Sequence, residues 1–232
     1  MTDQLFRIDA YQRSCTAQVT ASRAEGIVLD RTVFYPEGGG QPGDRGVLRT
    51  ASGEVAIVDT QTDEHGHLLH LPAPGSVIPA AGTQVEACID WDYRYRHMRT
   101  HTCLHLLCAL VPHDVTGGSI SQEKGRLDFD MAEPVDKEAL EEALNRLVQE
   151  DHPVGSRWIS DEEMRANMDL VRTMSVRPPM GQGRVRLIEV SAVDLQPCGG
   201  THVARTGEIG VVRLGKVEKK GRQNRRINIH LD

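Results

Sequence analysis

The first ninety residues consist of short apolar runs separated by turn-forming residues. Three of these runs begin at Ala17, Gly26 and Glu54, and Gly, Pro, Asp and Ser lie between them. Runs of this length and punctuation are typical of β-strands and turns, and this part of the chain shows no helical period. The pattern predicts a small β-barrel or a similarly compact β domain over residues 1–91.

The spacing of apolar residues becomes helical after Asp92. The stretch Tyr93–Val111 repeats apolar residues at helical intervals up to Pro112, which cannot continue a helix. A second stretch, 136–150, carries acids on one face and apolar side chains on the other, namely Leu140, Leu144, Leu147 and Val148. We therefore expect one long helix and one amphipathic surface helix.

Four later segments read as strands: Arg126–Asp130, Val185–Val190, Gly210–Leu214 and Arg226–His230. Together with the two helices, they predict an α+β domain with a mainly antiparallel sheet over residues 92–232. The fold class expected for the whole chain is therefore α+β, with a β-barrel-like domain first.

Composition narrows the classes of protein that remain. Hydrophobic residues make up 39% and charged residues 26% of the 232, and the net charge is −6, which argues against a general nucleic-acid binder. No window approaches the roughly 18 apolar residues of a membrane span, and the first residues lack the pattern of a signal peptide. We expect a cytoplasmic protein with no DNA or membrane partner. The odd number of cysteines, five, disfavours a disulfide framework.

Two pairs of residues have the spacing of metal ligands. His101 and His105 lie four residues apart on the long predicted helix, so both imidazoles project from one face. Cys198 and His202 have the same spacing around two glycines, which permit a tight turn. Together they offer one thiolate and three imidazoles, a tetrahedral set that suits one Zn²⁺ per chain.

Each pair alone is a weak signal, since two histidines four residues apart on a helix are more often incidental. A zinc protease of the HExxH type needs Glu directly after the first His, and Thr102 stands there instead. A zinc finger is also disfavoured, because nearly a hundred residues separate the pairs. Cys103 projects away from the two helix histidines and is not expected to be a ligand.

Six stretches carry a resemblance to a known family. Two of them are Phe34-Tyr-Pro-Glu-Gly-Gly-Gly-Gln-Pro-Gly-Asp-Arg-Gly46 and Gln196-Pro-Cys-Gly-Gly-Thr-His202, and the others are 101–107, 116–120, 126–129 and 219–226. In their order along the chain they resemble AlaX proteins, the free-standing alanyl-tRNA editing proteins, of the medium-length type. These are similar to the editing domain of alanyl-tRNA synthetase. The resemblance implies a barrel-like domain before an editing domain, and zinc bound by His101, His105, Cys198 and His202.

The resemblance also implies an activity, which is hydrolysis of the ester between a wrong amino acid and the end of alanine tRNA. Serine is the chief substrate expected, with glycine as a second. A synthetase pocket shaped for alanine cannot strongly reject an isostere with one added hydroxyl, nor exclude a smaller residue, so a second hydrolytic site is needed. The expected partner is mischarged alanine tRNA.

Several residues are candidates for contacts to this substrate. Thr102, beside the helix ligands, and Thr116, in a turn flanked by glycines, offer hydroxyl groups, although threonine is commonly bonded only to backbone. The predicted glycine-rich loop could present backbone amides or a side-chain amide through Gly38, Gly39, Gly40 and Gln41. It is not a P-loop, because no GK[ST] follows, and a tight turn without function is an alternative.

A basic segment near the end of the chain is the candidate for contacts to the tRNA backbone. Between Arg213 and Arg226, seven basic residues stand against one acid, a net charge of +6. The residues predicted to contact the substrate here are Arg222, Arg225 and Arg226. Two other functions remain open: a tRNA-binding module with structural zinc, and a zinc hydrolase of small esters. A solvated basic surface is the ordinary alternative for the segment.

Overall fold

A computed structural model describes residues 2–23, 25–174, 180 and 183–232. The chain divides into two compact units, Met1–Arg96 and His97–Asp232, each described separately below. The sequence places the boundary between its two domains after residue 91, and this boundary remains a prediction. Among the described helices, none combines the length and the apolar character needed to cross a bilayer.

The first unit is a closed β-barrel. Its strands are β1 (Asp3–Gln4), β2 (Ser14–Ser22), β3 (Ile27–Leu29), β4 (Arg31–Thr32), β5 (Gly46–Thr50), β6 (Gly53–Thr62), β7 (Leu68–Pro72) and β8 (Gln84–Ile89). Six of them close in the order β2-β3-β7-β6-β5-β8, and every neighbouring pair is antiparallel. Alternate residues such as Val55 and Ile57 of β6 point into the buried core. The predicted barrel is confirmed.

The glycine-rich loop joins β4 to β5 and is held by a buried ion pair. Asp44 accepts a hydrogen bond from the Tyr35 backbone N–H at 2.6 Å, and its two oxygens lie 2.9 and 3.0 Å from Arg94 Nε. Arg94 also donates to the Val33 carbonyl at 2.6 Å. Both charged side chains are fully buried. Gly39 and Gly40 have φ of 58° and 82°, which favours glycine at these two positions.

The second unit is α+β, as predicted. The long helix α1 (Trp91–Leu110) spans the division between the units, and α2 (Lys137–Gln149) and α3 (Asp161–Ala166) follow. The strands are β9 (Val115–Ile120), β10 (Gly125–Asp130), β11 (Val154–Ser160), β12 (Arg184–Val190), β13 (Asp194–Pro197), β14 (Val212–Lys219) and β15 (Asn224–Leu231). They form two antiparallel sheets, β14-β15-β10-β9 and β11-β12-β13.

Both predicted helices are present with nearly the expected bounds. Helix α1 is buried all round over residues 100–108, and Met98, Leu106 and Leu107 are among its fully buried side chains. Helix α2 begins after Asp136, whose carboxylate accepts a hydrogen bond from the Ala139 N–H at 3.1 Å. It buries its apolar side at Leu140, Leu144 and Val148.

The prediction of a turn at Thr116 is wrong, because this residue lies on β9. The two following glycines face β10, with Gly118 opposite Leu127. A Cβ on Gly118 would lie 2.8 Å from Leu127 Cδ2, so glycine here serves close strand packing. The last hairpin is also longer than predicted, since β14 continues through charged residues to Lys219.

The buried ion pair predicts a large effect on the stability of the barrel. Asp44→Ala leaves the Arg94 guanidinium buried without its carboxylate, which costs about 3–5 kcal/mol of unfolding free energy. We expect this loss in guanidinium unfolding monitored by circular dichroism. Glu54→Ala, which breaks an exposed pair with Arg49, is the matched control and should change stability little. Equal losses in both variants would contradict the role of Asp44.

Candidate metal centre

The four predicted ligands lie together in the second unit. His101 and His105 project from α1 with ring centroids 5.4 Å apart. Cys198 and His202 lie on the segment that follows β13. One candidate ligand atom from each residue lies within 4.8 Å of all the others. Side chains almost a hundred residues apart in sequence therefore converge on one point.

Distances show which atoms face the centre of this cluster. Cys198 Sγ lies 3.3 Å from His202 Nε2 and 3.5 Å from His101 Nε2. The ring of His202 is 4.3 Å from that of His101 and 4.5 Å from that of His105, centroid to centroid. All three imidazoles are buried. The arrangement gathers the sulfur of the half-buried Cys198 and three nitrogen donors from buried imidazoles.

Backbone contacts hold the ligand segment against β12. The Cys198 N–H donates to the Arg186 carbonyl at 3.1 Å. The buried Arg186 side chain returns to the segment and donates to the carbonyls of Cys198 at 3.2 Å and Gly200 at 2.8 Å. The Gly200 N–H points at Cys198 Sγ, 3.4 Å away. Arg186 therefore fixes the bend that brings Cys198 and His202 together.

Two of the imidazoles have protein partners on their other ring nitrogen. His105 Nδ1 lies 3.0 Å from Asp194 Oδ2, and His202 Nδ1 lies 3.1 Å from Thr102 Oγ1. Gln196 Nε2 also donates to Asp194 Oδ2, at 2.8 Å. These nitrogens point outward from the cluster, so their bonds leave Nε2 available for a metal.

The electrostatics of the cluster favour a thiolate. Burial raises the pKa of Cys198, but the charges of His101 and His202 outweigh it and bring that pKa well below its usual value. Burial lowers the pKa of His202, and His101 adds to this effect. Burial also opposes protonation of His105, but bonds to Asp194 and Cys198 raise its pKa to about 9. Thiolate is the form of cysteine that binds metals.

The chain is similar to proteins of a known family along both of its units. Residues 5–93 match the family model of class II (A) tRNA synthetases. Residues 185–228 match that of the threonyl and alanyl tRNA synthetase second additional domain. The chain is 35% identical to the alanyl-tRNA editing protein AlaX-M of Methanosarcina acetivorans, over 98% of both chains. The chain belongs to the AlaX family of alanyl-tRNA editing proteins.

Two other relatives show how the AlaX chain relates to longer proteins. The AlaX-L protein of Pyrococcus horikoshii is 32% identical, over 98% of this chain but 57% of its own length. An alanine–tRNA ligase of Pyrobaculum neutrophilum is 37% identical, over 94% of this chain and 25% of its own. The family resemblance seen in the sequence is therefore confirmed. Of these three relatives, the AlaX-M protein is the one that the alignment covers over nearly its whole length.

Within this AlaX chain, the two predicted catalytic threonines have different surroundings. Thr102 is fully buried on α1, where its hydroxyl lies 2.9 Å from the Met98 carbonyl and accepts from the Val203 N–H at 3.2 Å. Thr116 is half-buried; it donates to the Asp128 carbonyl at 3.1 Å and accepts from Asn224 Nδ2 at 2.8 Å. Their roles toward a substrate remain predictions.

The glycine-rich loop of this AlaX chain belongs to the first unit. Gly38 and Gln41 pair through their backbones, with hydrogen bonds of 3.0 and 3.1 Å, and the Gln41 side chain is buried. Gly39 and Gly40 are exposed at the tip between them. The predicted contacts of these four residues to substrate remain predictions.

The three predicted arginines differ in how they are paired. Arg222 is exposed in the turn between β14 and β15 and has no ion-pair partner among the described residues. Arg225 donates to the carbonyls of Asn224 and Ala132. Arg226 forms a two-point bond with Asp128, at 2.7 and 2.8 Å. Arg225 and Arg226 are thus engaged by other parts of the chain, whereas Arg222 has no ion pair to a described residue. The role of all three toward a substrate remains a prediction.

Sequence reasoning missed Asp194 and Arg186, which support the ligands. Asp194 precedes Cys198 by four residues, the spacing that also separates the members of each ligand pair. That repeat is a signal in the sequence, although an acidic residue at a strand start is common. Arg186 carries no comparable signal, because its contacts depend on the pairing of β12 with β13.

The donor set predicts that purified protein holds one zinc ion per chain. Cys198→Ala removes the only sulfur donor of the cluster and should abolish stoichiometric binding, as measured by atomic emission on gel-filtered protein. Cys88→Ala removes a half-buried thiol of the barrel and is the control. Unchanged zinc content in Cys198→Ala would contradict the site.

Proposed function

We propose that this protein hydrolyses the ester that joins serine, and secondarily glycine, to the 3′ end of alanine tRNA. Membership of the AlaX family makes the chain an editing deacylase, a hydrolase of the aminoacyl-tRNA ester bond, as the sequence predicts. The observation that carries the proposal is the cluster of one half-buried cysteine and three buried histidines in that family context. The cytoplasm, where tRNA is aminoacylated, is the proposed compartment.

The chemical demand on such a site is modest. An aminoacyl ester is already activated, so the enzyme must mainly position a water molecule and stabilise the negative charge that develops on the carbonyl oxygen. A strong nucleophile is not required. Buried polar groups in fixed orientations are suited to this task, since they need no reorganisation during the reaction.

Zinc is the proposed metal of the cluster. The donor set fits it: thiolate and imidazole are ligands that zinc prefers, and one atom from each residue lies within 4.8 Å of the rest. His101, His105, Cys198 and His202 would hold the ion. A bound zinc fixes the geometry of the site when four protein donors surround it, and acts as a Lewis acid when one position opens.

Thr116 is the hydroxyl group proposed to contact the substrate. A hydroxyl oxygen has one hydrogen to donate and two lone pairs to accept with. The Thr116 hydroxyl donates to Asp128 and accepts from Asn224, so one lone pair is uncommitted. That lone pair can accept a hydrogen bond from the hydroxyl or amino group of a mischarged serine.

Alanine tRNA is the proposed partner, and exposed cations of the last hairpin are its proposed phosphate contacts. Three of these cations form no ion pair among the described residues: Lys216, Lys219 and Arg222. Others in the same segment are already neutralised, since Arg213 pairs with Asp232 and Lys220 with Glu218, both at 2.8 Å. Unpaired cations can bind phosphate without first breaking an ion pair.

A deacylation assay tests the proposed activity. Purified protein should release serine from mischarged alanine tRNA and spare alanine on the same tRNA, and Cys198→Ala should lose this activity. The Cys88→Ala variant provides the control. Salt-sensitive tRNA binding with no release of serine would support a binding module instead. Turnover of small esters without RNA would support the third function considered above.

Charge substitutions test the phosphate contacts separately. Removal of one contact lowers the slope of log affinity against log salt by about 1. We expect this for Lys219→Gln and for Arg222→Gln in tRNA binding measured between low and high salt. Arg213→Gln is the matched control, because this exposed arginine is paired with Asp232, and it should leave the slope unchanged. A slope that responds equally to all three would contradict the assignment.

A further inference from the structure

The Nδ1 atoms of His105 and His202 form hydrogen bonds to two residues that are not themselves candidate metal ligands. We propose that Asp194 and Thr102 are positioning residues that orient His105 and His202, fixing Nδ1–H as the protonated nitrogen so that Nε2 faces the metal. This inference rests on the proposed zinc site. It also gives Thr102 a role different from the substrate contact that the sequence predicts.

The Thr102 hydroxyl uses its full hydrogen-bonding capacity within the protein, without a substrate. The Thr102 hydroxyl hydrogen goes to the Met98 carbonyl, so in the 3.1 Å contact with His202 it is Nδ1 of the neutral ring that carries a hydrogen and donates it to Thr102 Oγ1. The Val203 N–H donates to the same oxygen. One donor and two lone pairs are thus all used. A fully buried hydroxyl with no remaining capacity is suited to orienting its neighbour.

Asp194, the first residue of β13, makes the corresponding hydrogen bond to His105 of α1. The side chains of His105 and Asp194 are 6% and 4% exposed, so water does not compete for the 3.0 Å contact between them. Gln196 donates to the same carboxylate oxygen at 2.8 Å and thereby fixes its position. A carboxylate that accepts the N–H of a metal-binding imidazole sets the orientation of the ring and makes its other nitrogen a better ligand.

The two bonds cross between the ligand-bearing segments. Thr102 lies on α1 but holds His202 of the later segment, whereas Asp194 begins β13 but holds His105 of α1. Each segment therefore orients a ligand supplied by the other. Loss of either partner frees one imidazole to rotate, and the ring must then be ordered again when a metal binds.

Zinc affinity measures this positioning directly. The whole protein, stripped of metal, is titrated with Zn²⁺ against a chromophoric chelator at constant pH. We expect about 10–100-fold weaker zinc binding for Thr102→Val and for Asp194→Ala, the range typical of such outer partners. Thr102→Ser retains the hydroxyl and should restore affinity. Asp194→Asn retains an acceptor oxygen without the charge and should lose less than Asp194→Ala.

A buried threonine elsewhere in the unit provides the matched control. The Thr206 hydroxyl donates to the Leu147 carbonyl and accepts from the His152 N–H, so Thr206→Val removes a similar pair of bonds without touching a ligand. It should keep the affinity of the parent protein. Circular dichroism of each metal-free variant confirms folding before titration, and the partial loss expected for Asp194→Asn carries the comparison if a larger change unfolds the chain.

Three outcomes decide the inference. Weaker zinc binding in Thr102→Val and Asp194→Ala, with recovery in Thr102→Ser, supports it. Unchanged zinc affinity in both variants overturns it, and slower deacylation by Thr102→Val alone then returns Thr102 to the substrate. A parent protein that binds no zinc overturns both this inference and the proposed metal, whereas the first two outcomes leave the proposed metal intact.

Discussion

The structure of the second unit depends on bringing one thiol and three buried imidazoles together at one point. Polar groups removed from solvent are costly unless each one finds a partner, and a buried charge costs still more. Here Cys198 receives the Gly200 N–H, while His105 and His202 have partners on their outer nitrogens. The inner nitrogens and the sulfur face each other, and a metal ion is the partner that would satisfy all of them together.

The four side chains converge because two come from the rigid helix α1 and two from the bent segment after β13. Helix α1 fixes the distance between His101 and His105, because four residues complete about one turn. The segment after β13 has no regular structure, and its shape depends on the two carbonyls that Arg186 binds. A helix alone could not provide four converging donors, and the segment alone would not hold its two in place.

Local patterns in the sequence predicted most of the fold and all four residues of the cluster. Helical spacing identified α1 and the face shared by its two histidines, and short punctuated runs identified the barrel. Contacts between distant segments could not be predicted in this way. Arg186 and Asp194 act through strand pairing, and Thr116 lies on β9, which pairs with β10 and packs closely against it at Gly118 and Leu127. A Thr-Gly-Gly sequence by itself is equally typical of a turn.

The net charge of a segment also differs from the charge that remains unpaired once the chain has folded. The net charge of +6 between Arg213 and Arg226 counts every cation equally. Yet Arg226 is bound to Asp128, which is 98 residues earlier in the chain and outside any such count. A paired guanidinium must give up its carboxylate before it can bind a phosphate, and that exchange returns little free energy. The positive charge that the hairpin can offer to an anion therefore depends on the few cations that have no ion-pair partner among the described residues, and composition alone overestimates it.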